Sequence, residues 1–234
     1  KYIMKLTLVK KQDEARGTKS FFWEPEKPLN YLPGQFLYYT LPSLKYPDPR
    51  GATRHFTFSS SPTEGNLLRL TTRIRPESGY KKTLDELAIG SLVEGEGPNG
   101  TFILNDNDLG PHVFLAGGIG ITPFRCMLKY VADKKLSTQI YLIYSDSTEE
   151  DMAFKKEFEE ASKNHPNIKT EFVITSRDGR IDELKINKFI GNWKIGNCTW
   201  WLCGPPPMVD AMQEILGKVG ITSNRLRAEK FTGY

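Results

Sequence analysis

Val113-Phe114-Leu115-Ala116-Gly117-Gly118-Ile119-Gly120-Ile121-Thr122-Pro123 is the stretch from which the organisation of the chain is read. A four-residue apolar run meets three glycines, a threonine and a proline, which predicts strand, tight turn and helix start in succession. Gly117, Gly118 and Gly120 permit a sharp turn and close backbone approach, Thr122 can cap, and Pro123 suits a first helical position. Backbone N–H groups at that helix end would face a pyrophosphate. The spacing Gly118-x-Gly120-x-x-Pro123 departs from the dinucleotide fingerprint, which wants a third small residue. Glycine-rich turns also occur without ligands, so the turn alone leaves both readings open.

Downstream of a polar connector at 105–111, strand and helix patterns alternate. Strands are predicted at 113–116, 139–144, 169–174, 199–203 and 225–230, with helices at 123–134, 149–164, 181–190 and 206–219. That alternation predicts an α/β half with a parallel sheet over residues 106–234. Ligands bind outside the carboxyl edge of such sheets, where 117–122, 144–146, 175–177 and 203–205 would gather. Upstream, residues 1–105 carry short apolar or β-branched runs at 2–9, 18–23, 35–41, 53–59, 67–74 and 92–96. Six such runs separated by turn residues predict an antiparallel barrel, interrupted by one helix at 80–88.

The run Arg54-His55-Phe56-Thr57-Phe58-Ser59-Ser60 reads as an extended strand with apolar Phe56 and Phe58 at alternate positions. One cation and several hydroxyls presented together suit a ligand with an anionic phosphate end and a flat polar ring. A solvated strand edge fits the same residues. Gly79, Lys81, Lys82 and Thr83 at the helix start form a second phosphate cradle or, equally, an exposed first turn.

At 234 residues the chain can bury one large core or two modest ones, and its 12% aromatic and 26% charged residues are those of a globular protein. No apolar run reaches the ~20 residues that a membrane span requires. Three cysteines and three histidines, without metal-ligand spacing, predict neither a zinc site nor an iron–sulfur cluster. The net charge of +4 is mild and interspersed, which argues against nucleic-acid binding. A local basic face of Arg73, Arg75, Lys81 and Lys82 could dock an acidic redox protein, although each also reads as ordinary solvated surface. The chain begins at Lys1 without a signal pattern, so upstream residues are expected to have been trimmed or left out, and the expected location is cytoplasmic.

Six motifs in order resemble the ferredoxin–NADP reductase superfamily: Pro33-Gly34-Gln35-Phe36, Arg54-x-Phe56-Thr57-x-x-Ser60, Gly97-Pro98-Asn99-Gly100-Thr101-Phe102, the glycine turn, Cys203-Gly204-Pro205 and Glu229-Lys230-Phe231. The resemblance implies an N-terminal flavin-binding barrel at 1–105 and a nicotinamide-binding α/β domain at 106–234. It places Arg54 on flavin phosphate, His55, Phe56 and Ser60 around the flavin, and the Thr57 hydroxyl near flavin N5. Phe56 stands where relatives usually have tyrosine. Lys82 and Thr83 are implied in the pyrophosphate cradle, which favours FAD over FMN. Gly118, Gly120, Thr122 and Pro123 would hold the nucleotide's pyrophosphate. Cys203, Gly204 and Pro205 would lie beside the nicotinamide, with Glu229 nearby. Phe231 or Tyr234 would cover the flavin.

The implied reaction is hydride transfer from a nicotinamide to bound FAD, with Thr57, Cys203 and Glu229 around the reacting atoms, then electron delivery to an external acceptor such as ferredoxin. Ser176 and Arg177, aided by Arg180, favour NADPH, whereas Asp146 and Asp151 favour NADH. Alternatives are a reductase segment of a larger oxygenase or membrane system, a non-catalytic flavin- or nucleotide-sensing module, and a reductase of free flavin.

Overall fold

The structure, a computed structural model, describes residues 2–232, so Tyr234 lies outside the described residues. Six antiparallel strands, β1 (Ile3–Ala15), β2 (Thr18–Pro25), β3 (Phe36–Thr40), β4 (Thr53–Thr57), β5 (Leu68–Arg73) and β6 (Leu92–Asn99), run in the order β4-β3-β6-β1-β2-β5. A bridge between Phe58 and Leu70 joins the two edges and curls the sheet into the expected barrel. Alternate residues point inward, so Leu6, Leu8, Phe21, Trp23, Leu37, Tyr39 and Leu70 fill one core. Helix α1 (Gly79–Glu86) plugs it with Tyr80 and Leu84, one turn apart on the same face.

Strand β1 runs six residues beyond the predicted 2–9. Its extension, Lys10 to Ala15, is polar because it forms an outlying hairpin arm with β2 rather than barrel wall. The arm reaches the other half of the molecule, where the Arg16 N–H donates to the Glu150 carbonyl.

Five parallel strands follow: β7 (His112–Gly117), β8 (Ile140–Asp146), β9 (Ile168–Ile174), β10 (Thr199–Gly204) and β11 (Leu226–Lys230), in the order β11-β10-β7-β8-β9. Helices α2 (Thr122–Asp133), α3 (Lys155–Asn164), the single turn α4 (Thr175–Asp178), α5 (Glu183–Trp193) and α6 (Pro206–Lys218) cover the sheet. The strand order reverses direction at β7, so the crevice between β7 and β10 is the topological switch point where such sheets bind ligands.

Helix α3 starts six residues later than the predicted 149. The intervening Phe154 adopts a left-handed backbone, with φ of 62°. This conformation is disfavoured for a bulky residue, but it turns the Phe154 ring into the seam between the two halves. There the ring lies 4.7 Å from the Arg69 guanidinium and 5.4 Å from that of Arg125.

Those two buried arginines tie the halves together. Arg69 of β5 donates to Glu14 at 2.5 Å and to the Ser20 hydroxyl at 2.9 Å, and stands 3.7 Å from Glu157 of α3. Arg125 of α2 donates to Glu157 at 2.8 Å, to both Glu64 oxygens, and to the Ser59 carbonyl at 2.6 Å. Burial favours the neutral acid at Glu64, but the Arg125 hydrogen bonds outweigh it and hold the carboxyl below its ordinary value. Arg125→Met leaves the partly buried carboxylate of Glu64 without its paired donors and removes the 2.8 Å contact to the more exposed Glu157. It should cost about 2 kcal/mol and lower Tm by about 4–8 °C at pH 7. Because the lowered pKa of Glu64 stabilises the fold only above that value, the deficit should shrink as pH falls through it. Thermal melts at pH 7 and pH 4 check both; an unchanged Tm at pH 7 would contradict the role given to this seam.

Candidate flavin and nucleotide site

The two halves meet at a narrow crevice. His55, Phe56 and Thr57 of β4 and Thr71 of β5 form its barrel wall, while Thr122 at the start of α2 and Phe231–Thr232 after β11 form the other. Phe56 is turned mostly inward, 6.0 Å from the rings of both Tyr39 and Tyr80, which fixes the strand end. Phe231 is held across the crevice by its N–H, which donates to the Gly204 carbonyl at 2.9 Å. Ser60 serves as a brace instead of a wall: its hydroxyl meets Tyr31 Oη at 3.0 Å and accepts the Arg69 N–H at 2.9 Å.

Around the corner, the carboxyl ends of β7, β8, β9 and β10 open a second cleft of ≈ 380 Å³. Gly117, Gly118, Pro205 and Met208 line its floor, and Ser147, Thr175 and Arg180 its far side. Gly118 has φ of +54° and lies under the Arg73 guanidinium, which pairs with Asp146 across the halves. Gly120 answers to packing: a Cβ there would stand 2.3 Å from the Cys203 carbonyl oxygen. At Gly204 the fit is less severe, a Cβ there standing 3.1 Å from the Gly117 carbonyl oxygen. Thr122 does not cap α2, in contrast to the sequence expectation. A 3-10 turn over Gly118–Ile121 feeds the helix directly, so the Thr122 hydroxyl donates back to the Ile119 carbonyl at 3.3 Å, with Pro123 in the first turn.

Ser176 and Arg177 sit on the solvent side of α4. Arg177 is occupied by its neighbour Asp178 at 2.8 and 3.0 Å, and Thr175 and Arg180 face the cleft in their place. Of the carboxylates, Asp146 is engaged by Arg73, and Asp151 by Arg16 at 2.9 Å.

Cys203 is wholly buried in the cluster that also contains Phe102, Ile119 and Phe231. Burial, with Glu229 beside it, pushes its thiol well up, so the sulfur is a neutral wall and not a nucleophile. Glu229 pairs in register with Cys203 and lines a further cleft with Phe36, Gly100 and Arg227. Burial pushes its carboxyl up to about 7, and its Oε2 has no hydrogen-bond partner among the described residues.

At the other end of β4, Arg54 is fixed by its surroundings. Its Nη1 donates to the carbonyls of Arg50, Gly51 and Thr53, and its Nη2 to Asp48 at 2.5 Å. Asp48 also accepts from the N–H groups of Arg50 and Tyr80, both at 3.0 Å, and from the Ser78 hydroxyl at 3.1 Å. Burial raises the Asp48 carboxyl, but these donors together with Arg54 prevail and hold it at about 2. Lys82 projects over the Tyr46 ring at 3.9 Å, and Thr83 accepts from the Lys45 N–H at 3.1 Å. Lys81 turns inward instead, to the side of Arg54, and is 3% exposed. A cluster of cations by the first turn of α1, a buried Arg75 Nε lacking an acceptor among the described residues, and a flat crevice beyond suit a dinucleotide with a diphosphate bridge. The switch-point cleft suits a second nucleotide. Asp48 and Arg50 escaped notice, and Arg75 was read only as part of a docking face, because their placement depends on loops that no periodicity describes.

Comparison with known proteins agrees with this division. Residues 5–103 match the oxidoreductase FAD-binding domain, and residues 114–214 match the oxidoreductase NAD-binding domain. Flavohemoprotein A of Dictyostelium discoideum is 25% identical over 95% of this chain and 58% of its own length. The anthranilate 1,2-dioxygenase electron transfer component of Acinetobacter baylyi is 30% identical over 88% of this chain and 59% of its own. The chain thus spans about three-fifths of the length of these curated relatives. Among solved structures, an Amycolatopsis cytochrome P450 reductase superposes with a TM-score of 0.83 at 26% identity, covering 99% of this chain and 70% of that one. Ferredoxin-NADP+ reductase from Plasmodium falciparum shares the fold, with a TM-score of 0.79 at 20% identity, 98% of this chain and 96% of that one being covered. With both halves matched in order along one chain, this protein belongs to the ferredoxin–NADP reductase superfamily of FAD- and NAD-binding oxidoreductases.

Proposed function

We propose that this chain reduces an external electron acceptor at the expense of NADPH, with residues 1–105 holding FAD and residues 106–234 holding the nicotinamide nucleotide. The reading is carried by one observation: Thr57 from the barrel, and Thr122 and Phe231 from the other half, wall a single crevice. FAD, when bound, would supply the chemistry of hydride acceptance from a nicotinamide and of single-electron release. The protein contributes alignment and exclusion of water. Thr57 presents a hydroxyl to the ring beside Phe56 and His55, and Phe231 shields the same place from solvent. Gly118 and Pro205 border the path of the second pyrophosphate, with Arg73 above it. Cys203 keeps the inner wall small and uncharged, and Glu229 places a carboxyl poised to change protonation near neutrality beside it.

The choice of NADPH rests on charge. Arg180 lines the cleft at the end reached by the adenosine ribose, whereas Asp146, the carboxylate that could accept from free ribose hydroxyls, is neutralised by Arg73. For the acceptor, the net charge of +4 supports a small acidic carrier of the ferredoxin kind. The basic docking face expected from sequence is thinner than it reads, since Lys81 is buried and Arg73 is paired. A second reading, a reductase segment serving an oxygenase or haem partner, is favoured by the flavohemoprotein and dioxygenase relatives and by the share of their length that the chain spans.

Thr57→Val should slow flavin reduction by NADPH at least tenfold while leaving nucleotide affinity within about threefold, as an interaction made at the reacting centre would. Stopped-flow rates equal to wild type would contradict that placement. Arg180→Ala should lower kcat/KM for NADPH about tenfold and leave that for NADH unchanged, since a charge-assisted phosphate contact is worth about 1.5–3 kcal/mol. Equal losses with both nucleotides would count against the phosphate assignment. For Glu229 the raised folded pKa gives the opposite sign from a salt-bridged acid. Its ionisation costs stability, and the cost grows between the ordinary 4.5 and about 7, then stays level. Glu229→Gln should therefore raise Tm at pH 8 and not at pH 4. A variant less stable than wild type at pH 8 would mean the carboxylate has a stabilising partner.

A further inference from the structure

Strand β11 is an edge strand, and the face it turns toward the barrel is left open. Between it and the last turn of the barrel lies a cleft of ≈ 380 Å³, walled by Phe36, Gly100, Thr101 and Phe102 on one side and by Arg227 and Glu229 on the other. Among the described residues it shares no wall with the crevice at Thr57 or with the switch-point cleft. Its volume is at the small end of the about 300–1,000 Å³ typical of ligand sites, which is room for one small molecule.

Backbone geometry builds the walls. Gly100 has φ of +103°, and a Cβ there would stand 3.0 Å from Phe36 Cδ1, so the glycine leaves the Phe36 ring its place. Arg227 and Glu229 are two residues apart on β11, hence on one face, with Cα atoms about 7 Å apart along the strand. Arg227 is positioned yet chemically open. Its guanidinium lies 4.3 Å from the Trp201 ring, and the Trp201 N–H donates to His112 Nδ1 at 3.2 Å, which fixes that platform. The polar contacts of Arg227 are long: 3.6 Å to Asp108 and 3.5 Å to the Ile103 carbonyl. Asp108 is itself shared with His112 Nε2 at 3.3 Å, the nitrogen that carries the ring proton because Nδ1 accepts from Trp201.

Glu229 faces the same space. Its Oε2 is buried without a hydrogen-bond partner among the described residues, a position that suits a carbonyl oxygen and not a charged one. The proton of the neutral acid therefore belongs on Oε1, through which Glu229 meets the cleft. A planar cation and an acid proton side by side are both donors, and they complement an anion with two oxygens. The Phe36 and Phe102 rings complement a flat apolar body.

We propose that this cleft binds a small aromatic carboxylate, with its ring against Phe36 and its carboxylate between the Arg227 guanidinium and the Glu229 acid. An aliphatic anion meets only the donors, and a neutral aromatic amide meets the ring without the charge. The binding draws on no cofactor, so its test stands apart from that of the flavoenzyme reading.

The test is calorimetric titration of the full chain with benzoate at pH 6, below the value of about 7 to which burial raises the Glu229 carboxyl. Benzoate should bind at least about tenfold more tightly than benzamide or acetate, as a charge-assisted contact added to ring burial requires. It should bind alike to the chain as purified and to the chain saturated with FAD. Arg227→Gln should weaken benzoate binding at least about tenfold and leave that of benzamide within about threefold. Phe36→Ala should weaken both. Absence of benzoate binding by about 10 mM overturns the proposal, as does benzamide or acetate binding as tightly as benzoate. Exclusion of benzoate by FAD overturns it too, since the ligand would then occupy the flavin crevice. These wild-type outcomes decide the matter even if neither variant folds, and benzoate affinity unchanged in a folded Arg227→Gln chain contradicts the site as assigned.

Discussion

Glu157, held between the guanidinium groups of Arg69 and Arg125, is the contact on which the rest of the molecule depends. The barrel end offers Thr57, the parallel half offers Thr122 and Phe231, and their registration makes the crevice between them. Apolar contact could join the halves, but it is non-directional and would leave the angle between them loosely set. Two buried arginines, each with several acceptors and both stacked on Phe154, demand one geometry. The left-handed backbone of Phe154 is the local cost of that registration.

A second theme is how the fold manages charge where nucleotides bind. At the flavin end the cations outnumber the carboxylates, and Asp48 is spent on bracing Arg54 rather than on neutralising the cradle. At the nucleotide end Arg73 is paired with Asp146 beside Gly118, and Arg180 is a second cation lining that cleft. Between the two stand neutral or easily neutralised groups: Thr57, the protonated Cys203 thiol, and Glu229 poised near pH 7. Hydride transfer between two flat rings needs alignment more than charge, and the site has that character.

Much of this was legible in the sequence. Apolar runs and turn residues placed ten of the eleven strands to within three residues at either end, β1 being the exception, and the glycine turn marked the switch point. Side chains at strand ends, such as Thr57 and Phe231, were placed together because the family motif carries their order. What escaped had physical reasons. Residues 10–15 are polar because they wrap the seam rather than the core, so no hydrophobic period reveals them as strand. The start of α3 was displaced by a tertiary demand on Phe154 that no propensity encodes. Lys81 and Lys82 are indistinguishable by composition; only the helical phase set by Tyr80 and Leu84 decides which turns inward. Asp48, between two prolines in an irregular loop, has no local pattern at all.

The central claim is that the two halves present a flavin and a nicotinamide to each other in one crevice. Anaerobic stopped-flow absorbance of the FAD-loaded chain mixed with NADPH tests it most directly. Bleaching of the oxidised flavin bands in a first-order phase whose rate saturates with NADPH is the result expected of that arrangement. Saturable NADPH binding with the flavin left fully oxidised would contradict it.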